Sequence, residues 1–577
     1  MKAQIDFPQA DGSRLRLAFS QPTAILTAYR REEIVAVIAA AEHAAHSGRW
    51  VVGCVAYEAA PAFDADLPVR ATDGAMPLAM FAVYTAPQAL AAPAAAGDFS
   101  CGPWTMTTAR PRIAAALDAI HRGIVDGDYY QINYSTRLRA SFGGDGDALF
   151  AALRTAQPAA YCAQLAAEHW QLLSVSPELF FDWQSDGRMT TRPMKGTAAR
   201  HADAMADAAA AQELRASAKQ QAENLMIVDL LRNDLSRIAV TGSVSVPRLF
   251  DIEALPSAWQ MTSTVQCQAR PDAGLADIFG ALFPCGSVTG APKAAAMAAI
   301  AALEETPRGA YCGAIGVIRP GGHATFSVAI RSVVLDTQRG EAECGIGSGI
   351  VFDSSAADEY GEWLIKRRFL LRASAAFELV ETLRLEHGDY WLRTRHLERL
   401  RASADHFGFA CDASHIDNAL DMLAAQRPQG QWRVRLLLAR DGEPRSEIAA
   451  LDAVPHDPLF VMAATPVNSG DEFLAHKTTQ RTAYQRHAPP PGCFDTLLWN
   501  ERGEITEFTR GNVVMELAGR RVTPPLAGGL LAGVMRAELL ARGQIHEQVL
   551  HLNDVAQARS IWFINSVRGS VPVTPSS

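Results

Sequence analysis

Near residue 373 the texture of the chain changes. Up to that point "AADEYGEWLIKRRFLLRA" carries the apolar spacing of a helix. Directly after it, "FELVETLRLEHGDYWL" alternates apolar and polar residues into His387-Gly388-Asp389, a hairpin pattern that leads into a charged helix. A chain of 577 residues exceeds what one core supports. We therefore read a boundary here, between residues 104–372 and 373–577. Residues 1–103 alternate short strand-like and helical runs. They end in "APQALAAPAAAGDFS", read as a surface linker or long loop. Within 104–372, "QLLSVSPELFFDW" and "AECGIGSGIVF" read as strands and "ASAKQQAENLMIVDLLRNDL" as a helix. The expected fold class is mixed α/β (α+β).

The net charge of -9 argues against nucleic acid or an anionic membrane as partner. The nine cysteines form no CxxC pair and no regular spacing, which predicts a reduced, cytoplasmic protein without a zinc site. The N-terminal residues lack a signal-peptide core, and no apolar run is long enough to span a bilayer.

"TRPMKGTAAR" sets Lys195 between Pro193, which fixes φ, and Gly196, which frees it. A lone lysine on such a frame is by default a loop charge. Glu359 and Glu362 share one helix face, by default a solvated one, and Glu223 lies beside an apolar stripe where a carboxylate is less expected. Three glutamates without His or Cys suit Mg²⁺ rather than zinc. "PCGSVTGAPK" and "ECGIGSGIVFDS" offer glycine-rich backbone that can cradle an anion, although each alone is more often a tight turn.

Taken in order, "DGDYYQINYSTR", "SPELF", "RPMKGT", "AENLMIVDLLRNDLSR", "GSVTGAPKAAAM", "AYCGAIGV", "IRS" and "GIGSGIVFDS…DEYGEW" strongly resemble the chorismate-utilising family, which includes anthranilate, isochorismate and aminodeoxychorismate synthases. The resemblance implies a sandwich of antiparallel sheets with helices outside and the ligand in a cleft between. It implies that Glu223 and Glu362 ligate Mg²⁺, with Glu359 assisting through water. Tyr311, Arg331, Gly347, Ser348 and Gly349 fall where the family holds substrate carboxylates, Thr289 and Gly290 line the cleft, and Lys366 lies at its acidic end. Lys195 stands where aminodeoxychorismate synthases carry a lysine and anthranilate synthases an alanine, which implies a nucleophile, with Glu178 as general acid. Gln131 replaces the water-activating lysine of the isochorismate- and salicylate-forming relatives. Gln260 stands where several relatives have a histidine, so no role of that histidine carries over.

In residues 373–577 Lys477 precedes two threonines, Glu507 is expected at the bend of "GEITEFTRGNVVMEL", and Gly533 opens a helix at "LLAGVMRAELL", an anion site by geometry. Arg399 is a second candidate phosphate contact. The order suits pyridoxal phosphate (PLP), and the set resembles fold-type IV PLP enzymes: aminotransferases and 4-amino-4-deoxychorismate lyase. The resemblance implies that Lys477 forms the Schiff base and Glu507 contacts the ring nitrogen. It implies that Arg399 with the Val534 and Met535 amides holds the phosphate, and that Asn512 and Ser566 line the pocket. "FELVET" lacks the glycine-rich opening strand of stand-alone members.

Together the halves predict chorismate amination to 4-amino-4-deoxychorismate, then loss of pyruvate to give 4-aminobenzoate, a folate precursor. The motifs do not separate lyase from aminotransferase. An anthranilate-forming chain fused to an aminotransferase is the alternative, and a non-catalytic ligand-binding regulator is another. No cysteine sits in a G-x-C-x-G elbow, so ammonia is expected from a separate glutamine amidotransferase subunit. A homodimer through the PLP domain is a further expectation.

Overall fold

The computed structural model describes residues 1–9, 11–72, 74–90, 97–158, 160–199, 204–254, 258–374 and 377–576. Part of the expected "APQALAAPAAAGDFS" linker, residues 91–96, lies outside them. The chain divides into two compact units, Met1–Ala375 and Ala376–Ser577.

The first unit is built on two antiparallel sheets. Among the described residues one has 11 strands and the other 10. Between them lies a core of Ile5, Phe7, Val52, Ala82, Leu165, Leu172, Ile315 and Val317. Helices cover the outer faces. Arg31–His46, Ala218–Ser236 and Leu275–Leu282 pack on the smaller sheet around Phe81, Phe279 and Phe326, whereas Arg110–Asp126, Gly146–Ala156 and Ala356–Lys366 pack on the larger around Tyr134, Phe150 and Trp363. Strand alternation explains the layering: each sheet buries one face against its partner and the other under helices, so its strands are apolar on both faces. The first hundred residues are woven into this body. Lys2–Pro8 and Arg14–Phe19 extend the larger sheet; Ala24–Ala28, Trp50–Val55 and Ala79–Tyr84 extend the smaller.

The helix expected across "AADEYGEWLIKRRFLLRA" is two helices, Ala356–Lys366 and Arg368–Ser374. The break at Arg367 turns the second piece so that Phe369, Leu370 and Ala373 join the core of the larger sheet.

The second unit has a four-stranded antiparallel sheet containing Leu379–Glu386 and an eight-stranded mixed sheet containing Ile505–Phe508 and Asn512–Leu517. The expected hairpin turns at His387 and Gly388, both with positive φ, and the charged helix follows as Arg393–Phe407. Lys477 lies in a loop whose carbonyl accepts from Val380 N, tying it to the four-stranded sheet. Among the described residues no helix is long and apolar enough to cross a membrane.

Candidate active sites

The first site is organised by two long strands of the larger sheet, Gln131–Gly144 and Glu341–Ile350, paired with Gly349 opposite Asn133, Gly347 opposite Ser135 and Gly345 opposite Arg137. Period two puts the three glycines on one face. That face is bare, and other groups occupy the space. A Cβ on Gly345 would lie 2.2 Å from the Tyr311 ring, and one on Gly349 would lie 2.5 Å from Lys195 Nζ and 2.7 Å from Gln131 Nε2. The glycine-rich motif thus lets side chains from elsewhere lie against the sheet.

Lys195 sits in the strand Met194–Ala199, where the register with Ala258–Gln268 slips between Met194 and Thr197. Such a bulge re-aims a side chain, and Gly196 takes φ +94° within it. The surrounding backbone is gripped from two sides. Asn224 Nδ2 donates to Lys195 O at 3.4 Å, and Gln260 Nε2 donates to Gly196 O at 2.8 Å. Gln260 therefore has a structural task of its own, and Asn224, buried and bonded to Ser263, is a support that spacing alone did not reveal. Lys195 Nζ has no carboxylate within 4 Å among the described residues; burial, with Lys366 acting the same way and Glu223 against it, lowers its pKa.

Glu178 is buried between two strands. Burial raises its carboxyl to about 7, against the hydrogen bond from Ser287, and Oε1 has no partner among the described residues. Both amide atoms of buried Gln131 are also without a hydrogen bond among them. Polar atoms orphaned in this way carry a desolvation cost that a bound polar ligand removes. Arg331, held at φ 49°, is half-buried with only Gln157 as side-chain partner among the described residues, and desolvation brings its pKa to about 10.

Other named residues are placed differently. Thr289 donates its hydroxyl to Cys285 O and Gly286 O, closing the glycine-rich loop, while Gly290 approaches the Gln131 carbonyl so closely that a Cβ would lie 2.1 Å from it. Ser348 points to the opposite face from Gly347 and Gly349, where it bonds Trp363 Nε1 and Glu359. Glu359 also accepts from Ser354 Oγ at 2.6 Å. Lys366 Nζ lies 2.6 Å from Glu362 and donates to Gly347 O at 2.9 Å. Burial pushes Glu362 up, but the Lys366 ammonium holds it below its ordinary value. Glu223 is raised by burial and by Glu362 and Glu359, against Lys195 and Lys219. Among the described residues no three His, Cys, Asp or Glu side chains stand close enough together to hold a metal. The donors nevertheless fit Mg²⁺ in kind: they are carboxylates, and the burial of Glu223, with smaller pushes from Glu362 and Glu359, disfavours its charge, a cost that a hard divalent cation relieves.

In the second unit Lys477 Nζ has neither a carboxylate within 4 Å nor a hydrogen bond among the described residues. Burial and the charges of Arg481 and Arg399 bring its pKa to about 7. Glu507 is the third residue of a strand rather than the bend. Its Oε1 accepts from Tyr484 Oη at 2.7 Å and Leu531 N at 3.1 Å, and its Oε2 from Asn512 Nδ2 at 3.2 Å. Burial raises it to about 7. Arg399 is bound by both oxygens of Glu381, at 2.8 and 2.6 Å, and donates to Ala532 O. Burial alone would raise Glu381, but Arg399 and His396 bring it to about 2. The helix Val534–Ala541 starts at Gly533, where a Cβ would strike Asn512 Oδ1; Val534 and Met535 are its first residues. Ser566 is buried after the strand Ser560–Asn565 and hydrogen-bonds none of these. An unpaired buried amine, a held carboxylate and a helix start fit PLP. Glu381, His396, Tyr484 and Arg481 belong to this site without having been singled out by spacing.

Residues 92–372 match the family model described as chorismate binding enzyme, and residues 378–575 match amino-transferase class IV. Over 259 residues the chain is 40% identical to "Aminodeoxychorismate synthase component 1" of Salmonella typhimurium, covering 45% of this chain and 56% of the relative. It is 38% identical over 264 residues to "Anthranilate synthase component 1 1" of Haloarcula marismortui, covering 46% and 53%. The chain thus spans little more than half the length of these curated relatives. Anthranilate synthase component I from Streptococcus pneumoniae shares its fold, with TM-score 0.52 at 24% identity, over 64% of this chain and 89% of that one. Residues 92–372 are therefore similar to the chorismate binding enzymes and residues 378–575 to the class IV amino-transferases.

Proposed function

We propose that the chain makes 4-aminobenzoate in two steps, amination of chorismate at C4 and then removal of pyruvate. The observation that carries the first step is the unpaired Lys195 amine lying over Gly349 beside Gln131, with its pKa lowered by burial. A neutral amine attacks; an ammonium does not. Lys195 Nζ forms a bond to C2 of chorismate as the C4–oxygen bond breaks, and protonated Glu178 gives the departing hydroxyl its proton. Ammonia then bonds to C4, the C2–nitrogen bond breaks, and Lys195 is restored. Arg331, a half-buried cation lacking an acid partner among the described residues, is suited to a substrate carboxylate. Glu223 and Glu362 would hold Mg²⁺, with Glu359 behind a water, once Lys366 releases Glu362; the ion would neutralise a second carboxylate.

In the second unit PLP, when bound, supplies the electron sink for a carbanion. Lys477 moves the proton at the carbon bearing the amine, and its pKa near 7 suits both taking and giving it. Glu507, fixed by Tyr484 and Asn512, would meet the ring nitrogen. Arg399 and the amides of Val534 and Met535 would hold the phosphate. Asn512 and Ser566 shape the pocket. Ammonia comes from a separate glutamine amidotransferase; all nine cysteines are free, in keeping with a reducing, cytoplasmic setting, and the PLP unit pairs with a second copy.

The test is to supply chorismate, ammonium, Mg²⁺ and PLP and identify the products. 4-Aminobenzoate with pyruvate supports both steps. Anthranilate overturns the role of Lys195.

A further inference from the structure

We infer that Arg481 is the carboxylate-binding residue of the second unit, holding the acid group of the amine whose amino nitrogen meets Lys477. The inference rests on the PLP-dependent reading above. Two arginines act on the Lys477 amine, Arg399 and Arg481. Their surroundings differ. Arg399 is neutralised by the paired oxygens of buried Glu381. Arg481 has no carboxylate within 4 Å among the described residues. Its Nη2 donates to Thr509 O at 2.6 Å, which anchors one edge of the guanidinium to the residue after the strand Ile505–Phe508. Its Cζ stands 4.2 Å from the centre of the Tyr484 ring. Tyr484 in turn donates to Glu507 at 2.7 Å. The guanidinium is therefore fixed on two sides, by a carbonyl and by a ring, beside the residues proposed to meet the cofactor.

A half-buried cation fixed this way has paid its ordering cost before any ligand arrives. Only an anion completes it. A planar guanidinium matches a carboxylate or a phosphate. The cofactor's phosphate has the helix start at Gly533 and the two guanidinium hydrogens that Arg399 does not give to Glu381 or Ala532 O, so the carboxylate is the anion left to Arg481. The substrate class that follows is a primary amine carrying a carboxylate, which the proposed intermediate is.

The test uses the full chain with PLP bound, read by the change in cofactor absorbance as ligand is added. The probes are 4-aminobenzoate, which carries the acid group, and aniline, which lacks it. Arg481→Gln should weaken 4-aminobenzoate roughly 10- to 100-fold, the worth of a hydrogen bond to a charged group, leave aniline unchanged, and leave unchanged the dissociation constant of pyridoxine 5'-phosphate from the apoprotein, a probe that keeps the phosphate but has no aldehyde for Lys477. Arg481→Lys, which keeps the charge, should recover part of the loss and covers the case in which the glutamine variant does not fold. Unchanged 4-aminobenzoate binding overturns the inference. So does a loss of pyridoxine 5'-phosphate affinity instead, which would assign Arg481 to the cofactor's phosphate. Pyruvate release from aminodeoxychorismate by the parent is measured alongside: carboxylate discrimination through Arg481 without pyruvate release would sink the lyase reading and leave this assignment standing.

Discussion

Lys195 Nζ lies against the backbone of Gly349, so that a single methyl group on the glycine would come within 2.5 Å of it. The two are far apart in the chain and on different sheets, and only a residue without a side chain lets the amine reach that spot. Gly349→Ala should therefore cost activity without costing the fold, since the displaced atoms are side-chain ends. The amination rate should fall on the order of 10-fold or more by analogy with other misplaced catalytic groups, at an unchanged melting temperature. Retention of the parental rate would show that the lysine works elsewhere.

Lys195→Ala removes the nucleophile and leaves Arg331 and the carboxylates in place. Amination should drop on the order of 10²-fold or more, with chorismate affinity largely retained. Mass spectrometry of the parent, quenched with chorismate before ammonia is added, should find the adduct on Lys195 and none in the variant.

Glu178 sets a pH dependence whose sign follows from its pKa near 7, above the ordinary carboxyl value of 4.5. The folded state binds its proton more tightly than the unfolded chain. The stability it contributes is thus complete below pH 4.5 and lost as pH rises to about 7, amounting to about 3 kcal/mol. Glu178→Gln should flatten this part of the stability curve while abolishing the general acid. A variant whose denaturation midpoint still falls over that interval as in the parent would remove Glu178 as its source.

Glu362→Gln replaces an anionic oxygen donor with a neutral amide and frees Lys366. Activity should require more Mg²⁺ and recover partly when it is raised. An identical Mg²⁺ titration in variant and parent would exclude Glu362 as a ligand.

Lys477→Ala should end covalent retention of PLP under borohydride reduction and leave the first unit working, so that aminodeoxychorismate accumulates. In the parent, the rate of PLP capture should rise through pH 7, as the amine, lowered by burial and by Arg481, gives up its proton. Parental pyruvate release by the alanine variant would refute the assignment.

What the sequence by itself determined was local. The alternation in "AECGIGSGIVF" forms a strand, "FELVETLRLEHGDYWL" forms a hairpin at His387 and Gly388, and Gly533 opens a helix, because hydrophobic period and glycine conformational freedom act over a few neighbours. The tertiary structure decided which charges remain unanswered. Spacing placed Glu359 and Glu362 on one helix, but only packing gave Glu359 two serine partners and Glu362 a lysine. Arg399 and Arg481 look alike in the sequence; one, on a helix, is neutralised by Glu381 from the strand Leu379–Glu386, and the other meets no carboxylate among the described residues. Whether a buried charge is paired depends on which distant segment the fold brings within a few ångströms, and electrostatic energy in a low-dielectric interior is steep over that distance.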